Sequence, residues 1–318
     1  MLTCINLRLT LINIEVKLML VNIDATGNGA GAEEVTVKRE EHVVGETFAY
    51  RFAHPEAEAD HVLLVQHGTG GHGGIYDTFG AHYAGLGAEV WCMDAPSHGR
   101  SRTTRPAGRF TLEEWVTAAV EVGDHIAAET GLPVFIKGSS LGAAAAYCAY
   151  AASDTFAGAV LMGYAIPSSP FVPADNPFRS AAFDQLIARF GDALQFDIAR
   201  FTNFDTDYGY SGAERQKRSD PLNTWSYDLA SFGSIMRYDP VVPLAANTKP
   251  ILFTVGEKDP VFPPEVARMV VDATSGPVEL YVQPDGVHQL MLFHTVDYAA
   301  VVSDWCRKQL PTRPVSAP

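Results

Sequence analysis

Short apolar runs alternate with stretches of helical periodicity along most of the chain. Residues 34–40 and 47–53 alternate apolar with polar side chains, which predicts an opening antiparallel pair of strands. The run at 61–66 is apolar without interruption from Val62 to Val65, as is typical of a central strand covered by helices on both faces. Strands that alternate with helices in this way predict an α/β fold with a mostly parallel central sheet and helices on both faces.

The same pattern predicts the remaining elements of the sheet and its covering helices. Thr111 precedes a helical stretch that has Glu113 and Glu114 in its first turn, so we expect it to be a helix N-cap. Further strands are predicted at 88–94, 133–138, 156–165, 250–257 and 277–284, and further helices at 76–86, 140–152 and 295–309.

Residues 168–248 interrupt this series of strands and helices. The segment begins with several prolines, continues with helical periodicity and is rich in aromatic residues. The aromatics are Phe171, Phe178, Phe183, Phe190, Phe196, Phe201, Phe204, Tyr208, Tyr210, Trp225, Tyr227 and Phe232. We expect a helical cap over the carboxyl edge of the sheet, with some of these rings lining a pocket and the others packing inside the cap.

The resulting domain prediction is a core of residues 34–167 and 249–318, a cap of residues 168–248, and an extension of uncertain structure at 1–33. The stretch 1–23 is apolar but is interrupted by Arg8, Glu15 and Lys17. It therefore fits neither a signal peptide nor a membrane span, and no stable membrane insertion is expected. An extra strand and a chain start at Met19 both remain open.

Charge and cysteine content limit the possible partners. The formal net charge is −14 at pH 7 and is spread over the chain, so the acidic surface should repel nucleic acid. The four cysteines lack the spacing of a metal site, and Cys92 and Cys148 fall in apolar runs. We expect unpaired thiols and a cytoplasmic location; the oligomeric state is left open.

The strongest local signal for catalysis is the pentapeptide from Gly138 to Gly142, a G-x-S-x-G sequence between a predicted strand and a predicted helix. A nucleophile on so sharp a turn needs strained backbone angles, and glycines two positions before and after it relieve the crowding. Only Ser140 has this glycine spacing; Ser139 does not. The motif therefore predicts Ser140 as a nucleophile, with a simple N-cap role as the alternative.

A serine hydroxyl is a weak nucleophile near neutral pH and needs a base. Of the ten histidines, His288 lies just past the last predicted strand, at the same carboxyl edge of the sheet as Ser140. His98 also follows a strand, but we expect it to have a structural role in its loop. The sequence therefore predicts His288 as the base.

The acid that orients this histidine should lie at another strand end. Asp259 directly follows the strand predicted at 250–257, with Glu257 and Asp285 as weaker candidates. The resulting order of Ser, Asp and His along the chain is the one expected when a nucleophile sits on a strand-to-helix turn of this kind.

An oxyanion hole requires two N–H groups near the nucleophile. The glycine-rich loop at 67–71 follows the central strand predicted at 61–66, and it offers free backbone amides. We expect the N–H groups of Thr69 and Leu141 to be the donors, with Gly70 as an alternative to Thr69.

The same loop permits a second interpretation. Residues 68–73 fit G-x-G-x-x-G, and with Asp94 downstream they could bind a dinucleotide. Two strands precede this loop, however, and the interpretation leaves Ser140, Asp259 and His288 without a role. The hydrolytic interpretation is therefore favoured, and it requires no cofactor.

Taken together, the motifs HGTGG at 67–71, DAPSHGRS at 94–101 and GSSLG at 138–142, with Asp259 and His288, resemble the α/β-hydrolase superfamily. Within it, residues 67–80 and the expected cap are similar to the monoacylglycerol lipase, lysophospholipase and serine-aminopeptidase-like branch. The resemblance covers about residues 34–310 and implies the α/β-hydrolase fold with ester or amide hydrolysis.

The expected function is that of a serine hydrolase that cleaves a carboxylic ester of an apolar acyl or aryl small molecule through an acyl-enzyme. Carbon–carbon bond hydrolysis, aminopeptidase activity and perhydrolysis on the same triad remain alternatives. A non-catalytic ligand-binding protein and a dinucleotide-dependent reductase are alternatives from other classes.

Overall fold

The computed structural model describes residues 14–23, 29–102, 105–164 and 175–311. Its strands are β1 Ile14–Ile23, β2 Gly29–Val44, β3 Thr47–Ala53, β4 Val62–Gln66, β5 Glu89–Met93, β6 Val134–Ser139, β7 Phe156–Met162, β8 Gln195–Asp197, β9 Ser226–Asp228, β10 Ile251–Gly256 and β11 Val278–Gln283. Its helices are α1 Asp77–Gly85, α2 Leu112–Thr130, α3 Leu141–Ala152, α4 Ala181–Phe190, α5 Phe204–Tyr208, α6 Ala213–Arg218, α7 Leu229–Arg237, α8 Pro264–Asp272, α9 Leu290–Phe293 and α10 Thr295–Gln309.

Within the described residues, one nine-stranded sheet has the order β1-β2-β3-β5-β4-β6-β7-β10-β11. The strands from β5 across to β11 run parallel, whereas β1, β2 and β3 pair antiparallel at one edge. Every residue of β4, β5 and β6 is buried, as expected of strands covered on both faces. The predicted α/β fold is therefore confirmed.

Helices cover both faces of the sheet and give the protein two hydrophobic cores. One core packs α2 and α3 against the sheet and includes Trp115 and Tyr147. The other packs α1 and α10 against the opposite face and includes Phe79 and Tyr298. The parallel strands thus end at one common edge between the two layers, and the loops at that edge form the site described below.

The N-cap predicted at Thr111 is confirmed. The Thr111 side chain accepts from the Glu114 N–H, and the Glu114 carboxylate accepts from the Thr111 N–H, which forms a capping box. The helix ends at Gly131, whose φ of 66° is the left-handed conformation that favours glycine. Local sequence signals therefore set both ends of α2.

The segment between β7 and β10 has more varied structure than the helical periodicity indicates. Helices α4 to α7 alternate with a two-stranded antiparallel sheet of β8 and β9. Each of these strands has three residues, too few for alternation to reveal them in the sequence. The start of the predicted cap, residues 168–174, lies outside the described residues, and the cap role stays a prediction.

Five of the segment's phenylalanine rings pack on one another. Contacting rings join Phe178, Phe183, Phe196, Phe201 and Phe232, with centroids 5.2–6.3 Å apart. Such pairs add edge-to-face and stacking contacts to their burial. These rings therefore pack inside the segment, and Phe201, which is 60% exposed, is also open to its surface.

At the antiparallel edge of the sheet, β1 pairs with β2, from Ile14 opposite Arg39 to Ile23 opposite Gly29. The extra strand considered for the N-terminal region is thus present at residues 14–23. Residues 1–13 lie outside the described part of the chain. Among the described helices, none combines the length and apolar character that a bilayer crossing requires.

Lys137 is a charged residue in the middle of the second core. Its side chain is fully buried, with Nζ 4.9 Å from the ring centroid of Tyr298 and 4.0 Å from Met162 Sδ. Burial lowers the pKa of Lys137 to about 7, although the neighbouring thiols of Cys92 and Cys306 oppose this shift. An amine in this position destabilises the folded state whenever it carries a proton.

We expect Lys137→Met to stabilise the protein, and more so at neutral than at alkaline pH. Because the folded pKa lies below the unfolded value, the unfolded chain binds more protons, and wild-type stability rises as pH increases from about 7. The variant should lack this rise, about 2 kcal/mol between pH 7 and pH 9. Urea unfolding at both pH values, with the exposed Lys308→Met as control, measures it. If the free energy of unfolding changed with pH equally in Lys137→Met and wild type, the protonated Lys137 amine would not be what destabilises the folded state.

Candidate active site

Ser140 occupies the turn between β6 and α3. Its backbone has φ 53° and ψ −118°, a conformation that costs a non-glycine residue free energy. Its N–H donates to the Met162 carbonyl at 2.8 Å, which ties the turn to the end of β7. The strained serine predicted from the pentapeptide is therefore present, at the carboxyl edge of the sheet.

The two glycines of the pentapeptide allow this turn to close. A Cβ on Gly138 would lie 2.1 Å from the Gly142 carbonyl oxygen, and a Cβ on Gly142 would lie 2.1 Å from the His67 carbonyl oxygen. Both distances are far inside van der Waals contact. Side chains at either position would push α3 away from β6 and from the loop that follows β4.

His288 and Asp259 form a buried hydrogen-bonded pair. His288 Nδ1 lies 2.8 Å from Asp259 Oδ2, and the two residues are 2% and 3% exposed. The other carboxylate oxygen, Oδ1, accepts from the N–H groups of Val261 and Phe262, each at 2.9 Å. Because the carboxylate can only accept, Nδ1 is the donor and Nε2 is left free to accept a proton.

The other two candidate acids lie outside this pair. Asp285 forms an ion pair with Lys258 at 2.6 Å, and its side chain is 76% exposed. Glu257 accepts from the backbone N–H of Asp285 at 3.0 Å. The structure thus places Asp259, of the three candidates, against His288.

Ser140 and His288 line one cavity of about 280 Å³. Gly163 lies against the imidazole, because a Cβ there would be 2.7 Å from His288 Cε1. The segment between β7 and β10 forms the opposite wall with Phe201, Thr202, Asn203, Phe204, Thr206, Asp207, Tyr208 and Lys217. Some of the aromatic residues therefore do line a pocket beside the serine.

The loop after β4 brings a free amide to this cavity. Gly68 packs against the serine turn, since a Cβ there would lie 3.2 Å from the Ser139 carbonyl oxygen. The N–H of Gly70 donates to the Tyr227 hydroxyl at 2.8 Å and is therefore already used. Thr69 lines the cavity, and its N–H has no partner within the described residues. Of the two alternatives, Thr69 is thus the available donor in this loop.

Leu141, the other expected donor, is the first residue of α3, and Ser140 makes no side-chain cap there. Its N–H is one of the unpaired donors at the helix N-terminus, where the helix dipole favours negative charge. The structure therefore brings the amides of Thr69 and Leu141 to the same region as Ser140.

Two buried histidines hold the loop in place. His67 Nδ1 donates to the Gly68 carbonyl at 2.8 Å, and its Nε2 accepts from the Ala95 N–H at 3.1 Å. His98 Nδ1 donates to the Pro96 carbonyl, so its Nε2 accepts from the Tyr227 hydroxyl at 2.9 Å. Burial lowers the pKa of His67 well below its usual range and the pKa of His98 to about 4. Both rings are therefore neutral, and the structural role expected of His98 is the one observed.

Asp94, part of the dinucleotide interpretation, is also used in loop structure. Its carboxylate accepts from the N–H groups of Gly73 at 2.6 Å and Arg100 at 2.7 Å. The residue is fully buried, and each of its two carboxylate oxygens already accepts a backbone N–H. Within the described residues, no group of three or more His, Cys, Asp or Glu side chains is arranged to hold a metal ion.

Comparison with known proteins identifies the family. The family model described as serine aminopeptidase, S33 matches residues 57–293, about three quarters of the chain. The chain belongs to the serine aminopeptidase S33 family. The family is one of α/β hydrolases, which agrees with the resemblance noted in the sequence.

Proteins similar to this chain include lipases and an esterase. Human monoglyceride lipase is 30% identical to this chain over 150 residues, which are 46% of each of the two chains. The match therefore spans about half the length of this curated relative. The monoacylglycerol lipase of Paleococcus ferrophilus has a TM-score of 0.64 at 22% identity, covering 83% of this chain and 99% of that one. A thermostable carboxyl esterase from Bacillus coagulans has a TM-score of 0.69 at 17% identity, covering 92% and 98%.

Sequence reasoning missed two ionisable residues in the cavity of this S33 family member. Burial raises the pKa of Asp207 to about 6, with the Asp259 charge adding to the rise and His288 opposing it. Burial lowers the pKa of Lys217 to about 8. Asp207 lies in a sequence of aromatic residues, which is a weak signal, whereas Lys217 lies in a charged helix that gives no signal.

We expect Tyr227→Phe to destabilise this S33 family member by about 1–3 kcal/mol, because the buried Gly70 N–H and His98 Nε2 each lose their partner. The matched control is Tyr164→Phe. Tyr164 is similarly buried, but its hydroxyl has no hydrogen-bond partner within the described residues. Removing that hydroxyl should therefore leave the free energy of unfolding nearly unchanged. Urea unfolding measures both. Equal free energies of unfolding for the two variants would show that the Gly70–Tyr227–His98 chain contributes no net stability.

Proposed function

We propose that the protein is a serine hydrolase that cleaves carboxylic esters through Ser140, His288 and Asp259. The observation that carries the proposal is the buried hydrogen bond between His288 and Asp259. It leaves the Nε2 atom of His288 free, and His288 lines the same cavity as the strained Ser140. A nucleophile, a base and an orienting acid in such an arrangement can perform acyl transfer. The lipase and esterase relatives support the same class of reaction.

In the proposed mechanism, His288 Nε2 takes the proton of Ser140 as the hydroxyl oxygen attacks the ester carbonyl carbon. Asp259 holds the imidazole in the tautomer that leaves Nε2 basic, and it stabilises the imidazolium that forms. His288 then donates the proton to the leaving alcohol, and an acyl-enzyme remains on Ser140. Water, activated by His288, releases the acid by the same route.

The proposed oxyanion hole consists of the N–H groups of Thr69 and Leu141. The commitment of the Gly70 N–H to Tyr227 supports Thr69 as the donor of the loop. Such donors stabilise the tetrahedral oxyanion more strongly than the ground-state carbonyl, by about 3 kcal/mol for each donor.

The proposed substrate is a small ester with an apolar acyl or aryl part. The aromatic wall of Phe201, Phe204 and Tyr208 supports this class, because apolar groups gain free energy by leaving water for such a surface. We propose that residues 168–248 act as the cap over this site, and that the protein works in the cytoplasm. The free and buried Cys92, Cys148 and Cys306 are compatible with that location.

The first test is covalent labelling with a fluorophosphonate. We expect one adduct on Ser140, found by intact mass and peptide mapping, and none in Ser140→Ala, because only a serine with an adjacent base attacks the phosphorus. Ser139→Ala, the neighbouring serine outside the glycine spacing, should still be labelled.

A folded wild-type protein that takes up no adduct would contradict the proposal and favour a non-catalytic binding protein. A panel of p-nitrophenyl esters, aminoacyl amides and diketones then distinguishes ester hydrolysis from the amide and carbon–carbon reactions of the same triad. Hydrolysis of the amides or diketones in preference to every ester would replace the ester assignment.

The acid is tested with two aspartate variants. Asp259→Asn should lower kcat by about 10⁴-fold, because an amide cannot hold His288 in the reactive tautomer. Asp285→Asn is the matched control: Asp285 is exposed and pairs with Lys258, so ester hydrolysis should stay near the wild-type rate. A large loss in Asp285→Asn with normal activity in Asp259→Asn would reverse the assignment.

A further inference from the structure

A second cavity adjoins the one that contains Ser140. It has a volume of about 360 Å³ and is lined mainly by α6, the following loop and Phe293. Ile75, Tyr208 and Lys217 line both cavities and so form the wall between them. A substrate that extends from Ser140 toward the second cavity would therefore lie beside Ile75, Tyr208 and Lys217.

The ammonium group of Lys217 is buried beside two aromatic rings. The residue is 8% exposed, and its Nζ lies 5.3 Å from the Phe204 ring centroid and 6.0 Å from that of Trp225. One N–H donates to Asn223 Oδ1 at 3.0 Å. Burial lowers the pKa of Lys217 to about 8, so most of the amine still carries a proton at pH 7.

No carboxylate in the described part of the chain pairs with this ammonium. Asp220 is the acidic residue that acts on Lys217, but its Oδ2 lies 2.8 Å from His72 Nε2 and its Oδ1 accepts from the Leu222 N–H. Lys217 is also the single lysine or arginine among the lining residues of the two cavities. A buried cation with one neutral hydrogen-bond partner has donors left for an anion.

Charge is unevenly distributed along the cavity. Asp207 lines the Ser140 cavity, and its pKa of about 6 leaves the carboxyl mostly ionised at pH 7, whereas Lys217 brings a positive charge to the wall between the two cavities. The catalytic end is therefore unfavourable to a second anion, and the Lys217 end is favourable. An anionic substrate would bind with its charge at Lys217 and its neutral ester at Ser140.

We propose that Lys217 binds a carboxylate at the far end of the substrate, so that the preferred substrates are esters whose acyl chain ends in a free carboxylate. This inference rests on the proposed ester hydrolysis at Ser140. A carboxylate is favoured over a phosphate because one ammonium balances one negative charge, and Asp207 disfavours a second. The aromatic wall would contact the apolar part of the chain between the two ends.

The test compares esters that differ only at the far end. Monomethyl suberate and methyl octanoate have the same acyl length, with a carboxylate replacing a methyl group, and monomethyl adipate and sebacate vary the length. At pH 7 we expect kcat/KM to favour the anionic ester at the best length. Lys217→Met should lower kcat/KM for that ester by about 10- to 100-fold more than for methyl octanoate, the usual effect of a lost charge-assisted hydrogen bond.

A purely structural role for Lys217 has a different signature. Through Asn223 the lysine also supports the loop whose Thr224 N–H donates to the Gly70 carbonyl at 3.0 Å. Equal losses for anionic and neutral esters in Lys217→Met would show that role and overturn the proposal. Lys217→Arg, which keeps the charge, should retain part of the preference for the anionic ester.

A binding measurement separates this proposal from the proposed catalysis. In Ser140→Ala, calorimetry should show monomethyl suberate binding more tightly than dimethyl suberate, and Lys217→Met in the same background should remove the difference. If monomethyl suberate bound more tightly but the wild type hydrolysed neither ester, the proposed hydrolase activity would be rejected and the carboxylate site would be kept. Equal affinities for the two esters would reject the carboxylate site alone.

Discussion

The close approach of Gly138 to Gly142 is the constraint on which the site depends. With hydrogen atoms as side chains, the end of β6 and the start of α3 approach so closely that a Cβ on Gly138 would overlap the Gly142 carbonyl. The chain can then reverse at Ser140 with φ 53°, and α3 starts beneath the serine. Gly142 in turn packs on the His67 carbonyl, which places the following loop beside the same serine. These two backbone contacts, both involving Gly142, thus position the serine, the helix N-terminus and the neighbouring amides together.

Much of the fold and part of the candidate site could be predicted from sequence because their signals are local. Apolar runs such as residues 62–65 identify buried parallel strands, and Thr111 with Glu114 identifies the start of α2. The carboxyl ends of parallel strands meet at one edge, so residues just after strands are brought together. That rule places Ser140, Asp259 and His288 near one another without any knowledge of the intervening chain.

The rest could not be predicted, because it depends on contacts between distant segments. Thr69 rather than Gly70 has a free N–H because the Gly70 N–H donates to Tyr227, which lies 157 positions away in the chain. The short strands β8 and β9 carry no periodic pattern, and the charged helix containing Lys217 does not show that its lysine is buried. Burial and partner choice of this kind follow from tertiary packing, which a local pattern does not encode.

The hydrogen-bond chain from Gly70 through Tyr227 to His98 has a consequence for how this protein could diversify. Tyr227 belongs to the segment between β7 and β10, while Gly70 and His98 belong to loops of the sheet core. Exchanging that segment for one from another hydrolase would leave two buried polar groups without partners and loosen the loop that carries Thr69. The segment is therefore not an interchangeable module. Grafted versions would have to retain a hydroxyl at this point, and natural variation should be freer in α4 and in the aromatic cluster than around β9.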